Sequence, residues 1–154
     1  MIIGFFVYIG QYLTYFNSAE DAYEQIYSGT VYAVVEGQQT DYVIGNKKQM
    51  VLKKTEKGWK KPIVSILTAK SIRKVGTITI QVSQYNFSDE YYVTISDFDK
   101  TNPDIKDNYN SQFYEVFHEG EGLDKTIRGY FAYVNQIEDD YTITVNDETI
   151  NILK

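Results

Sequence analysis

The chain is predicted to be mainly β: an α+β N-terminal module followed by an antiparallel β-sandwich. Three observations carry this. Fifteen Tyr, eight Phe and one Trp stand among many Thr, Val and Ile, the residues that fit a pleated, half-buried surface. Apolar and polar residues alternate with period two through Thr77-Ile78-Thr79-Ile80-Gln81-Val82 and through Tyr91-Tyr92-Val93-Thr94-Ile95-Ser96, as in strands with two different faces. Short polar turns separate such runs, and Pro62 and Pro103 are the only prolines.

The elements follow in order. Ser18 is suited to cap a short helix ending near Tyr27: Glu20 and Asp21 put negative charge at its N-terminus, and Ser28-Gly29 stops it. Ala22, Tyr23, Ile26 and Tyr27 share one face of this helix. Runs at 30–35, 40–44 and 49–55 read as a meander of antiparallel strands, Lys57-Gly58-Trp59 as a turn, and 63–67 as a further strand. Beyond residue 75 strands are expected around 77–83 and 91–96, then at 112–118, 127–137, 141–145 and 149–153. The last two are joined at Asn146-Asp147-Glu148. Six short strands with polar turns suggest a sandwich of immunoglobulin-like outline, without its Cys-Trp-Cys pattern.

Net charge is −6 over 154 residues, and it is segregated. Residues 1–46 carry −5, residues 47–74 carry +9 and residues 75–154 carry −10. This divides the chain into an apolar N-terminal segment (1–17), a helix-plus-sheet module (18–74) and an all-β module (75–154).

The first sixteen residues, MIIGFFVYIGQYLTYF, carry no charge. As helix they would span roughly 24 Å, short of the ~30 Å hydrocarbon core. No basic n-region or small-x-small cleavage site marks a secretory signal. The aromatics thicken toward the end of the segment, as at a membrane interface, and acidic residues follow. The segment therefore reads as the outer end of a membrane anchor whose natural chain starts upstream. The alternative is a helix or strand completing a soluble core.

Chemistry is sparsely represented. The chain has no Cys and one His, so thiol nucleophiles and multi-histidine metal sites are excluded, and a serine triad would have to use His118 without an accompanying G-x-S-x-G. No catalytic residue is assigned. Asp97, Asp99 and Asp104 sit in a loop whose hard oxygen donors suit calcium, the one cofactor considered. That loop fails the EF-hand template, with Asn102 in place of its Gly and Asn108 in place of its Glu. The plainer reading is a solvated acidic turn. Lys53, Lys54, Lys57, Lys60 and Lys61 surround Trp59 as a basic surface that could meet anionic lipid, wall polymer or protein, or face the acidic second module; the acidic whole disfavours nucleic acid, and the plainer reading is a solvated strand face. Tyr92, Tyr130 and Trp59 are the aromatic candidates for a glycan platform, with cross-strand packing as the competing role.

The apolar start, Ser-x-x-Asp opening a short helix, the meander at 30–55 and Gly58-Trp59-Lys60 closing it resemble small membrane-anchored extracytoplasmic proteins of Gram-positive bacteria. The resemblance covers residues 1–62 and implies a location on the outer face of the cell membrane, with no activity attached. Two functions are carried forward. The first is a non-enzymatic, membrane-anchored extracytoplasmic module that contacts protein, wall polymer or lipid. The second is a soluble β protein binding glycan or calcium, with residues 1–16 in its core.

Overall fold

A computed structural model describes residues 13–97, 104–119 and 126–153. Helix α1 (Ala19–Tyr27) precedes twelve strands: β1 (Val31–Glu36), β2 (Thr40–Gly45), β3 (Met50–Thr55), β4 (Gly58–Lys60), β5 (Leu67–Val75), β6 (Ile78–Tyr85), β7 (Tyr91–Asp97), β8 (Ile105–Asp107), β9 (Tyr114–Glu119), β10 (Thr126–Val134), β11 (Thr142–Val145) and β12 (Glu148–Asn151). They form three antiparallel sheets, ordered β1-β2-β3-β4, β5-β6-β7-β10-β9 and β12-β11-β8. The protein is mainly β, as its composition predicts.

The helix is bounded by the predicted residues. Ser18 is extended and its Oγ accepts the Asp21 N–H at 3.0 Å, while Ser28 turns into the left-handed region at φ 53° and donates its N–H to the Glu24 carbonyl at 2.8 Å. Ala19, Ala22 and Tyr23 are buried against Val43, Met50 and Leu52 of the first sheet. Tyr23 fastens this packing, because its hydroxyl accepts the Lys47 and Lys48 N–H groups at 2.8 and 3.0 Å.

Alternation places the opposite face of that sheet on the second one. Val35 of β1 joins Tyr85 and Tyr92 in a buried cluster, with Tyr42, Val51, Phe131 and Tyr133 packed around it. The other face of the second sheet, carrying Ile78, Ile80, Val82, Val93 and Ile95, packs on Ile143 and Val145 of the third sheet and on Tyr141 and Ile152 beside it. The central strands of the five-stranded sheet are thus packed on both faces, the edge strand β5 stays largely exposed, and the third-sheet side is the sandwich.

Several boundaries move. The predicted strand at 63–67 has no ladder partner until Leu67. The strand runs instead through the basic residues to Val75, because Leu67–Val75 pairs with Tyr85–Ile78 as a hairpin edge. The charge step near residue 75 therefore falls at a hairpin turn inside one sheet, and the first sheet ends at Lys60 while the second begins at Leu67. Of Lys57-Gly58-Trp59, read as a turn, Gly58 and Trp59 belong instead to a short strand with Lys60, paired with β3. Strand β8 was not expected; Val145 draws Ile105 into register and Ile143 does the same for Asp107.

Candidate functional site

Where the apolar N-terminal run meets the fold, a backbone pairing holds it. Phe16 donates its N–H to the Trp59 carbonyl at 2.7 Å and accepts the Trp59 N–H at 2.9 Å. Gly58 makes room for this. At φ 129° it occupies a region that L side chains rarely adopt, and a Cβ there would collide with the Phe16 carbonyl oxygen. The Phe16 side chain is buried in the helix–sheet core, whereas Leu13 and Tyr15 are 63% and 41% exposed. Between Leu13 and Phe16 the chain therefore passes from exposed to buried side chains, and Tyr15 marks the point of exit from the core.

Basic residues gather at this exit. The Nζ atoms of Lys57 and Lys60 lie 5.7 and 5.6 Å from the centroid of the Tyr15 ring, within cation–π range. Lys61 lies 5.6 Å from the Tyr27 ring. Lys53 is exposed on β3, opposite Lys60. Beyond Pro62 come Ile63, Val64 and Ile66, with 71%, 54% and 57% of their surface in solvent. A cleft of about 360 Å³ has Tyr15, Lys53, Lys60, Ile63, Val64 and Phe87 in its wall. Ile66 is held at the end of this run by Asn86, whose Oδ1 accepts the Ile66 N–H at 2.7 Å and whose N–H donates to the Ile66 carbonyl at 2.9 Å. The result is one surface of lysines, an aromatic ring and exposed aliphatic side chains.

Lys54 does not belong to it. Its ammonium turns inward, donating to the Gly37 carbonyl at 2.8 Å, lying 3.5 Å from Asp41 and 5.9 Å from the Trp59 ring. Asp41, only 2% exposed, also accepts the Trp59 indole N–H at 2.7 Å. Desolvation of Asp41 is what demands these two donors. Trp59 is accordingly a structural side chain rather than an open platform.

The other aromatic candidates are also enclosed. Tyr92 is 3% and Tyr130 8% exposed, on opposite faces of the second sheet, and neither face is open at that point. Tyr92 packs between Phe131 at 5.9 Å, lying nearly parallel to it, and Tyr133 at 4.9 Å. Burial pushes the Tyr92 phenol well above its ordinary range, with Tyr42, Tyr133 and Tyr85 adding to the effect; burial does the same to Tyr133. The hydroxyls of Thr40, Tyr92 and Tyr133 are buried without a hydrogen-bond partner among the described residues. A different set of rings reaches a surface: Tyr27, Tyr42 and Tyr85 line a cleft of about 330 Å³ together with Gln49, Lys61 and Ser65.

Of the calcium candidates, Asp99 lies outside the described residues and Asp97 is placed by its backbone at the end of β7, opposite Ile78 and Arg128. Asp104 serves the hairpin turn between β11 and β12. Its N–H donates to Asn146 Oδ1 at 2.8 Å, and its carbonyl accepts the Asn146 N–H at 2.9 Å. Among the described residues no group of three or more His, Asp or Glu is placed to hold a metal ion.

One acid that composition and spacing do not single out is Glu90. It is 2% exposed, and its carboxylate accepts the backbone N–H groups of Gln38 (2.7 Å), Gln39 and Thr40 (3.0 Å), which form the β1–β2 turn. Gln39 answers by accepting the Asp89 N–H at 2.9 Å. A side chain at Gly37 would come within 2.8 Å of both Glu90 oxygens, so the glycine is required by close approach. The only hint in the sequence is negative: the turn Gly37-Gln38-Gln39 contains no Asp, Asn or Ser to satisfy its own donors.

No protein-family model, curated protein or solved structure matches this chain.

Proposed function

We propose that the protein is a non-enzymatic, membrane-anchored extracytoplasmic interaction module. The observation that carries this is the exposure of Leu13 and Tyr15 beside the attached Phe16. Phe16 is stitched to Trp59 at the edge of the first sheet, while Leu13 and Tyr15 face outward beside Lys57 and Lys60. An uncharged sequence rich in Phe and Tyr, directly preceding these exposed residues in the chain, suits a bilayer and its interface. Among the described residues no helix is long and apolar enough to cross a membrane. The acidic residues that follow, Glu20, Asp21 and Glu24, accord with a flank outside the positively charged cytoplasmic side.

The full chain is expected to float with neutral phosphatidylcholine vesicles and to stay with them through a high-salt wash. The Phe5→Asp/Phe6→Asp variant is expected in the soluble fraction. A full chain recovered wholly in the soluble fraction overturns the reading.

A second reading, a soluble ligand-binding β protein, draws on the cleft lined by Tyr27, Tyr42 and Tyr85, because ring faces beside a lysine and an amide suit a hydroxylated ligand such as a short glycan. On that reading, saturation-transfer NMR with short oligosaccharides gives signals that fade in Tyr27→Ala. Spectra without transfer remove it.

A further inference from the structure

We infer that the face formed by Tyr15, Lys53, Lys57, Lys60 and the aliphatic run Ile63, Val64 and Ile66 rests on an anionic lipid bilayer, holding the folded part flat against the membrane. This deepens the anchoring proposal and rests on it. Three observations converge. Lys53, Lys60, Ile63 and Val64 share one cleft wall with Tyr15, the residue next to the core attachment at Phe16, and the Lys57 ammonium lies 5.7 Å from the same ring. Within 53–61 the only acid is Glu56, so this face is basic on a chain whose net charge is −6. The three aliphatic residues are each more than half exposed in the loop between β4 and β5, an arrangement that costs free energy in water and is relieved at a headgroup–acyl boundary.

Charge and chemistry select the occupant. A second copy of the chain docked through the same face would oppose lysine to lysine. An anionic bilayer offers negative headgroups to the ammoniums, an apolar layer to the aliphatic side chains and an interfacial zone to the tyrosine ring. Insertion is shallow, because unpaired backbone groups of a loop cannot enter hydrocarbon without a partner. The anchor supplies proximity, and the basic face turns proximity into a fixed orientation.

The chain has no cysteine, so Val64→Cys in the full chain can be labelled alone with an environment-sensitive fluorophore. Tyr32→Cys, exposed on the opposite edge strand of the first sheet, serves as control. With vesicles containing phosphatidylglycerol the label at 64 is expected to shift to the blue and to be quenched by shallow doxyl lipids, while the label at 32 stays in water. With pure phosphatidylcholine the label at 64 is expected to stay largely in water although the chain floats. Replacing Lys53, Lys57 and Lys60 by Gln is expected to weaken the docking about fivefold per lysine, roughly 100-fold in all, and high salt to do the same. Flotation on both vesicles with an unshifted label at 64 overturns the docking and leaves the anchor standing. A salt-sensitive shift on phosphatidylglycerol with no flotation on phosphatidylcholine supports the docking and removes the anchor. An unchanged shift in the lysine variant, or a shift produced by soluble polyglutamate and not by vesicles, overturns it.

Discussion

Glu90→Ala is expected to destabilise the protein by about 3–4 kcal/mol, measured as a lower urea midpoint. The carboxylate accepts three backbone N–H groups of the β1–β2 turn, and truncation leaves those donors without a partner. An unsatisfied buried donor costs about 1–3 kcal/mol. The sum stays below the maximum because Gln38 is exposed and its N–H can rehydrate. Glu90→Gln is expected to lose about half as much, since its carbonyl oxygen still accepts while its NH₂ faces donors. The contact joins the first sheet to the second across about fifty positions of sequence, so the loss belongs to the junction between sheets rather than to either hairpin. An Ala variant within about 0.5 kcal/mol of the parent would show that water replaces the carboxylate fully.

Alkaline unfolding is expected to be cooperative and to begin above pH 10. Tyr92 is buried in the cluster between the first two sheets, Tyr133 packs against it with its hydroxyl buried, and Tyr141, whose hydroxyl donates to Asp107 at 2.9 Å, is buried between the second and third. Burial raises all three phenols, and Asp107 beside Tyr141 adds to it. The direction of the linkage follows. A phenol whose folded pKa lies above its unfolded value near 10 contributes its full stability below pH 10 and loses it as pH rises toward the folded value. Above pH 10 each such group therefore removes about 1.4 kcal/mol per pH unit. Three together remove roughly 4 kcal/mol per unit, enough to exhaust the ~5–15 kcal/mol typical of a domain within two or three units. Absorbance at 295 nm should show the exposed tyrosines titrating first and the buried ones appearing in one step coincident with loss of the sheet signal in circular dichroism. Tyr92→Phe and Tyr133→Phe are expected to move that step to higher pH, the more so because neither hydroxyl has a partner to lose. A single smooth titration of all fifteen tyrosines with the fold intact would refute the assignment.

The same residues show how far one-dimensional reading reached. Ser18 caps α1, and β6 and β7 follow their alternation, because caps and pleats depend on neighbours within a few positions. The alternation at Tyr91-Tyr92 correctly places the two rings on opposite faces. It cannot say that both faces are covered, and so Tyr92 and Tyr130 read as platform candidates when they are core. The lysine run was legible as a basic patch. Its membership was not, since only the fold brings Asp41 and the Gly37 carbonyl to Lys54 and removes it from the surface.

By itself the sequence determined the β class, the bounds of α1, the apolar start and the concentration of positive charge at 47–74, all of which are properties of composition and short-range period. Only the tertiary structure decided that β10 inserts between β7 and β9, that Glu90 clasps a turn far away in the chain, and that Phe16 pairs with Trp59, so that Tyr15 meets Lys57 and Lys60. The reason is physical: a strand's period shows which side chains share a face, but whether a partner covers that face or leaves it exposed is decided by contacts between residues distant in sequence.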